Sequence, residues 1–211
     1  MKRRGTMSSS TELAYSESAP PDALQENRSI FLETFREKVS RPGRDEILHY
    51  LVSSTDFFRA PASTRYHLSR EGGLCRHSLN VYRRLMAARP QLKECSEESI
   101  ALVSLLHDVC KAEFYAVSTR NAKDEKGKWV VVPYYTVEDK FPLGHGGKSL
   151  YIASKFMALT DDEALAIMHH MGGFGVMPGD YSVTNAFKMS RLALELHIAD
   201  MRATYADEVE G

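Results

Sequence analysis

The sequence predicts an all-α bundle interrupted by one β-hairpin. Apolar residues recur at helical spacing through most of the chain. A single pair of β-rich runs flanks a polar turn, and Gly, Pro and capping residues punctuate the helical stretches.

The elements follow in order. Residues 1 to about 26, opening "MKRRGTMSSSTELAYSESAPP", are poor in large apolar residues and rich in Ser, Glu, Ala and Pro. That composition predicts a disordered N-terminal tail, and no apolar stretch follows its basic residues to make a signal peptide. The remainder, 27–211, suits one domain. "SIFLETFREKV" sets Ile30, Phe31, Phe35 and Val39 at helical spacing. After Pro42 and Gly43, "RDEILHYLVSS" carries Ile47, Leu48 and Leu51 as an apolar stripe. "GGLCRHSLNVYRRLMAA" holds Leu74, Leu79, Val81, Leu85 and Met86 in a helix that starts after two glycines. "SEESIALVSLLHDVCK" begins with Ser96, a good N-cap, and Glu97 and Glu98 suit the positive end of the helix dipole. Residues 114–137 break the pattern: two β-rich runs surround "KDEKGK", a hairpin signal. "GHGGKSLYIASKFMAL" resumes helix. "TDDEALAIMHHM" follows with Thr160 as N-cap and Gly172–Gly173 as its stop. "GGFGVMPGDYSV" reads as a loop, and "NAFKMSRLALELHIADMRATYADEV" as one long amphipathic helix.

Composition narrows the function classes. The chain is 43% hydrophobic and 26% charged with net charge −1, which is ordinary for a globular protein and offers no global basic field for long nucleic acid. Small anionic ligands need only local basic patches. Three cysteines, none in a CxxC pair, argue against a disulfide framework; two sit in apolar or Gly-flanked positions that suit buried free thiols, and a cytoplasmic location fits. No apolar run approaches the roughly 20 residues of a membrane helix.

The chemistry-bearing residues interrupt these apolar helices. They are His77, the adjacent pair His107–Asp108, His145 after Gly144, the adjacent pair His169–His170, and Asp200. Imidazoles and carboxylates are costly to bury unpaired and are preferred ligands of divalent transition metals.

This order of motifs resembles the HD-domain superfamily of metal-dependent phosphohydrolases. The matching pieces are "GGLCRHSLNV", "LLHDVCKA", "GHGGKS", "IMHH" and "HIADMRA", spanning residues 72–203. The closer similarity is to the HD domains of YhaM-type exoribonucleases, with HD-GYP cyclic dinucleotide phosphodiesterases more distant. The resemblance implies an HD-domain helical bundle whose His77, His107, Asp108 and Asp200 hold a first metal. It also implies that Asp108 bridges to a second metal held by His145, His169 and His170. Cys110 departs from the pattern, because family members often carry Gly there. No OB-fold segment precedes the matched region, which argues against an exoribonuclease grip.

The implied function is hydrolysis of a nucleotide or other small phosphoester by a metal-activated water. His/Asp ligation suits Mn²⁺, Fe²⁺, Co²⁺, Ni²⁺ or Zn²⁺ better than Mg²⁺, and the resemblance implies two ions. Asp108 and Lys111 are the expected catalytic residues, Lys111 lying three residues on along a continuing helix. Lys148, three residues after His145 in a helix N-terminal turn, is an expected phosphate contact, with His67 and Arg70 at the pocket mouth. His197 shares a helix face with Asp200. Trp129, Tyr134 and Tyr135 of the hairpin are candidates for a lid or a base-stacking wall. The expected partner is a small phosphorylated substrate, with short nucleic acid compatible and no membrane. Two alternatives share the ligand set: a diiron oxygenase of the inositol oxygenase type, and a non-catalytic nucleotide-sensing HD protein.

Overall fold

The computed structural model describes residues 21–209. Within them lie eight α-helices and one two-stranded antiparallel sheet. Helices α1 (Pro21–Lys38), α2 (Arg44–Ser53), α3 (Gly73–Ala87) and α4 (Glu97–Leu106) come first. Strands β1 (Tyr115–Lys123) and β2 (Trp129–Val137) form the hairpin. Then follow α5 (His145–Ser154), α6 (Asp161–His169), α7 (Ser182–Met189) and α8 (Arg191–Arg202), with a closing π turn at Ala203–Asp207. Helix α3 packs on α4 and α8, and α6 packs on α5 and α8. No helix of the described residues is long and apolar enough to cross a membrane.

Helix α4 is the axis of this arrangement. Every residue from Ile100 to Leu106 is buried, as an all-round apolar helix must be. Its one polar member, Ser104, satisfies its hydroxyl on the Ile100 carbonyl at 2.6 Å. Ser96 caps the helix by accepting from the Ser99 amide at 2.9 Å. Because its body is central, its C-terminal end delivers His107 and Asp108 into the interior.

Three expectations change. Residues 21–26, assigned to the tail, are the first turns of α1. Leu24 anchors them: its Cδ2 lies 2.1 Å from where a Cβ on Gly72 would stand, so the helix rests against that glycine turn. The rest of the expected tail, 1–20, lies outside the described residues. The expected long last helix is two helices, because Ser190 leaves helical geometry (φ −123°, ψ 113°) and its side chain accepts from the Ala193 amide at 3.2 Å to start α8. Helix α4 also stops at Leu106 instead of running on, and a 3-10 turn at Val109–Lys111 follows.

An ionic clamp fastens the bundle. Between α1 and α2, Arg41 grips Glu163 of α6 with two hydrogen bonds, Nη1 to Oε2 at 2.7 Å and Nη2 to Oε1 at 2.8 Å. Glu163 is fully buried and also completes a capping box with Thr160. Burial alone would raise its carboxyl, but Arg41, Ser99 and the Thr160 amide outweigh that and hold it below the ordinary 4.5. A depressed folded-state value means the clamp contributes fully above the unfolded carboxyl's range and is lost as pH falls through the folded value. In metal-free protein, Glu163→Gln is expected to cost about 2 kcal/mol at pH 7, the range for hydrogen bonds to charged groups. Urea melts of both proteins should converge as pH drops below about 4. A gap that persists unchanged into acid would show that the charge is not the cause.

Candidate metal centre

His107 follows the last residue of α4, and its ring Nδ1 donates to the Ser104 carbonyl at 2.8 Å. That bond fixes the tautomer, so the Nε2 lone pair of the neutral ring faces inward. His77, buried on α3, is held the same way. Its Nδ1 lies 3.0 Å from Glu208 Oε2, leaving Nε2 for the interior. The two Nε2 atoms stand 3.3 Å apart. Asp200 Oδ1 is 3.2 Å and Asp108 Oδ2 3.5 Å from His77 Nε2. Three acceptor atoms thus crowd His77 Nε2, a repulsive arrangement unless a cation or proton sits among them. Burial lowers the basicity of His77, but its bonds to Asp200 and Glu208 prevail and raise it to about 10. A metal ion would displace that proton.

Asp108 divides its carboxylate between two sides. Oδ2 faces His77 and His107 and accepts from Lys111 Nζ at 2.7 Å. The 3-10 turn makes this short contact possible, because residues three apart eclipse there. Oδ1 faces His145 Nε2 at 2.6 Å and His170 Nε2 at 3.4 Å. Burial would raise the Asp108 carboxyl, yet Lys111, His107 and His145 hold it well below the usual range. His170 donates from Nδ1 to the Ile167 carbonyl at 2.7 Å. Its Nε2 is buried and has no hydrogen-bond partner among the described residues. A buried nitrogen aimed at a carboxylate, without a hydrogen-bond partner among the described residues, fits a cation-binding role.

Glycine brings the last two histidines together. His145 is the first residue of α5, and Gly146 lies against α6 so closely that a Cβ would stand 2.0 Å from the Met168 carbonyl oxygen. On the other side, His197 Nδ1 donates to the His170 carbonyl at 2.7 Å, and its ring covers Gly172, where φ is +59°. His197 therefore positions the end of α6.

Of the seven expected ligands, six converge: His77, His107, Asp108, His145, His170 and Asp200. His169 does not. It falls outside every group of three or more donor atoms among the described residues and sits half-buried. Consecutive helical residues point about 100° apart, so one of the adjacent pair must face elsewhere. Lys148 is not an open phosphate contact: its Nζ binds Asp139 at 2.7 Å and lies 5.1 Å from the centre of the Phe114 ring. Its amide likewise donates to the Gly144 carbonyl at 2.9 Å. Arg70 lines a cavity of about 330 Å³ with Arg76, Asn80 and Glu208, beside the cluster and not within it. His67 does reach the cluster, with its ring 5.0 Å from that of His77. Burial first, then His77 and Lys111, lower it to about 4, so it is neutral at physiological pH. Trp129 sits at the hairpin tip opposite Lys123, eight residues along the strand from Tyr115, or about 26 Å by strand rise.

Two residues join that sequence reasoning did not place. Glu208 binds His77 and, at 2.8 Å, the Asn80 amide. An ion pair of Arg84 with Asp207 fastens the closing turn to α3 beside it. Cys110 forms a donor group with Asp108 and His145.

Comparison with protein-family models, with curated proteins and with solved structures finds no match. Fold and site together define a mostly helical protein with a small sheet and a buried His/Asp cluster able to hold metal.

Proposed function

We propose that the protein is a metal-dependent phosphohydrolase built on an HD-type helical bundle, acting on a nucleotide or another small phosphoester. The observation that carries this reading is the inward pairing of His77 and His107 Nε2 at 3.3 Å, with Asp108 presenting one oxygen to each side. A bridging carboxylate between two imidazole-lined positions suits two divalent ions. When bound, such ions supply Lewis acidity toward phosphoryl oxygens and acidify a coordinated water.

The chain's own residues do the rest. Lys111 fixes the plane of the Asp108 carboxylate and offsets part of its charge. Its ammonium is kept protonated because Asp108 outweighs the effect of burial. Glu208, Ser104 and Ile167 hold three imidazoles in the tautomer that leaves Nε2 free. The cluster reaches solvent at His145 and Asp200, whose side chains are 28% and 14% exposed, so a phosphoester approaches there. His67 serves in this reading as a hydrogen-bond partner of a substrate oxygen: it is neutral, and its buried Nε2 has no partner among the described residues. The near-zero net charge favours a small substrate over a long polyanion.

The test is a phosphatase panel on protein loaded with Mn²⁺, Co²⁺ or Ni²⁺. Its substrates are p-nitrophenyl phosphate, bis(p-nitrophenyl) phosphate and a set of nucleotides. Hydrolysis of at least one, abolished in Asp108→Ala, is the expected result. Silence of metal-loaded protein on every substrate would overturn the hydrolase reading in favour of an oxygenase or a sensor.

A further inference from the structure

The second side of Asp108 carries a donor that the His/Asp pattern does not require. Cys110 Sγ, a carboxylate oxygen of Asp108 and a ring nitrogen of His145 lie within 4.8 Å of one another. The thiol is buried, 3% exposed. Local structure puts it there. The 3-10 turn after Asp108 swings residue 110 toward α5, where its amide donates to Ser149 Oγ at 3.2 Å. Ser149 is four residues after His145, on the same face of that helix. The amide bond therefore draws Cys110 to the face of α5 from which His145 projects.

A second feature points to a ligand on the same carboxylate oxygen of Asp108. His170 Nε2 is buried, has no hydrogen-bond partner among the described residues, and lies 3.4 Å from Asp108 Oδ1, the oxygen that His145 approaches to 2.6 Å. Asp108 is thus shared by two donor groups, one with His145 and the Cys110 thiol and one with His107 and His170. Donors within 4.8 Å of one another are near enough to close on an ion at the roughly 3.3–3.8 Å spacing of a tetrahedral site with bonds of about 2.0–2.3 Å.

We infer that Cys110 is a thiolate ligand of the second ion, joining Asp108 and His145 in a donor set selective for a thiophilic divalent metal such as Zn²⁺ or Co²⁺. It takes the place that His169, which faces elsewhere, was expected to fill. Coordination forms one sulfur–metal bond and releases the thiol proton to solvent. Soft thiolate ligation disfavours Mg²⁺ and Mn²⁺ at this position, leaving the all-His/Asp first position less selective. The inference rests on the metal-binding part of the proposed function and is independent of the hydrolase part.

The test is cobalt absorption of the full-length protein, with bound cobalt measured by elemental analysis. Wild type is expected to retain cobalt and to show the near-ultraviolet charge-transfer band of a cobalt–thiolate bond. Cys110→Ser and Cys110→Ala should lose that band to baseline while keeping the weaker visible bands of the remaining ion. Cys95→Ser, at a half-buried position outside every donor group, should retain it. Cobalt bound without the band in wild type would overturn the inference and leave the metal centre standing. No cobalt retained would overturn both. Should the Cys110 variants fold poorly, wild type and Cys95→Ser still decide the matter.

Discussion

Asp108→Ala is expected to empty both metal positions and to destabilise the metal-free protein at the same time. Metal loss follows from geometry: one carboxylate serves both sides, so its removal takes a donor from each. Losing an outer partner of a metal ligand typically costs 10–100-fold in affinity, and a shared ligand should exceed about 100-fold. Destabilisation has a different cause. Lys111 is buried and its ammonium has Asp108 Oδ2 at 2.7 Å. Removing one partner of a buried pair strands the other charge and costs about 3–5 kcal/mol. The two effects separate in a double variant. Adding Lys111→Met to Asp108→Ala removes the stranded charge and should restore most of the stability, while metal content stays near zero. Elemental analysis and urea melts of the chelated proteins read the two outcomes. Recovery of metal in the double variant would show that Asp108 is no ligand. Failure to recover stability would show that Lys111 was not the cost.

Much of the fold is legible in the sequence because apolar spacing and breakers agree. Phe31 and Phe35, Ile47 and Leu51, and Leu74 and Leu85 are buried as their helical periods require. The hairpin is legible because "KDEKGK" places Gly127 at φ +76°, a turn conformation, between two β-rich runs. The break at Ser190 is not, because serine inside an amphipathic stretch reads as a surface residue until its hydroxyl is seen capping α8. The start of α1 was obscured by a polar composition that hides one anchoring contact, Leu24 on Gly72.

The site divides along the same line. His77, His107, Asp108 and Asp200 stand out because polar groups interrupt apolar helices, which is a local signal. The choice between His169 and His170 is not local. It depends on the rotation of α6 against α5, which is set by a glycine contact. Glu208 lies 131 residues from the histidine it orients and has no patterned neighbours to announce it. Lys148 carries the right spacing for a phosphate contact, but its partner Asp139 belongs to the loop leaving the hairpin, whose path no periodicity predicts. Donors on buried helices are thus readable from sequence, whereas the residues that aim them depend on tertiary approach.

Gly146 tests that last point. A Cβ there would stand 2.0 Å from the Met168 carbonyl oxygen, 2.7 Å from its carbon and 3.0 Å from the Ile167 carbonyl oxygen. These are backbone atoms that cannot rotate aside, and the Ile167 carbonyl is the acceptor that orients His170. Gly146→Ala gains about 1 kcal/mol of helix propensity but must push α5 off α6. Overpacking of this kind typically costs 1–3 kcal/mol, and a backbone collision lies at the upper end, so a net loss of about 2 kcal/mol is expected. The same displacement separates His145 from His170, so the variant should hold one ion where wild type holds two. Gly147 supplies the control one residue on. A Cβ there would meet only the Met168 side chain at 3.8 Å, ordinary contact. Gly147→Ala should therefore be neutral or more stable by up to about 1 kcal/mol, with metal content unchanged. Equal behaviour of the two variants would mean that close approach of α5 to α6 does not assemble the second position, and that His145 is held by Asp108 alone.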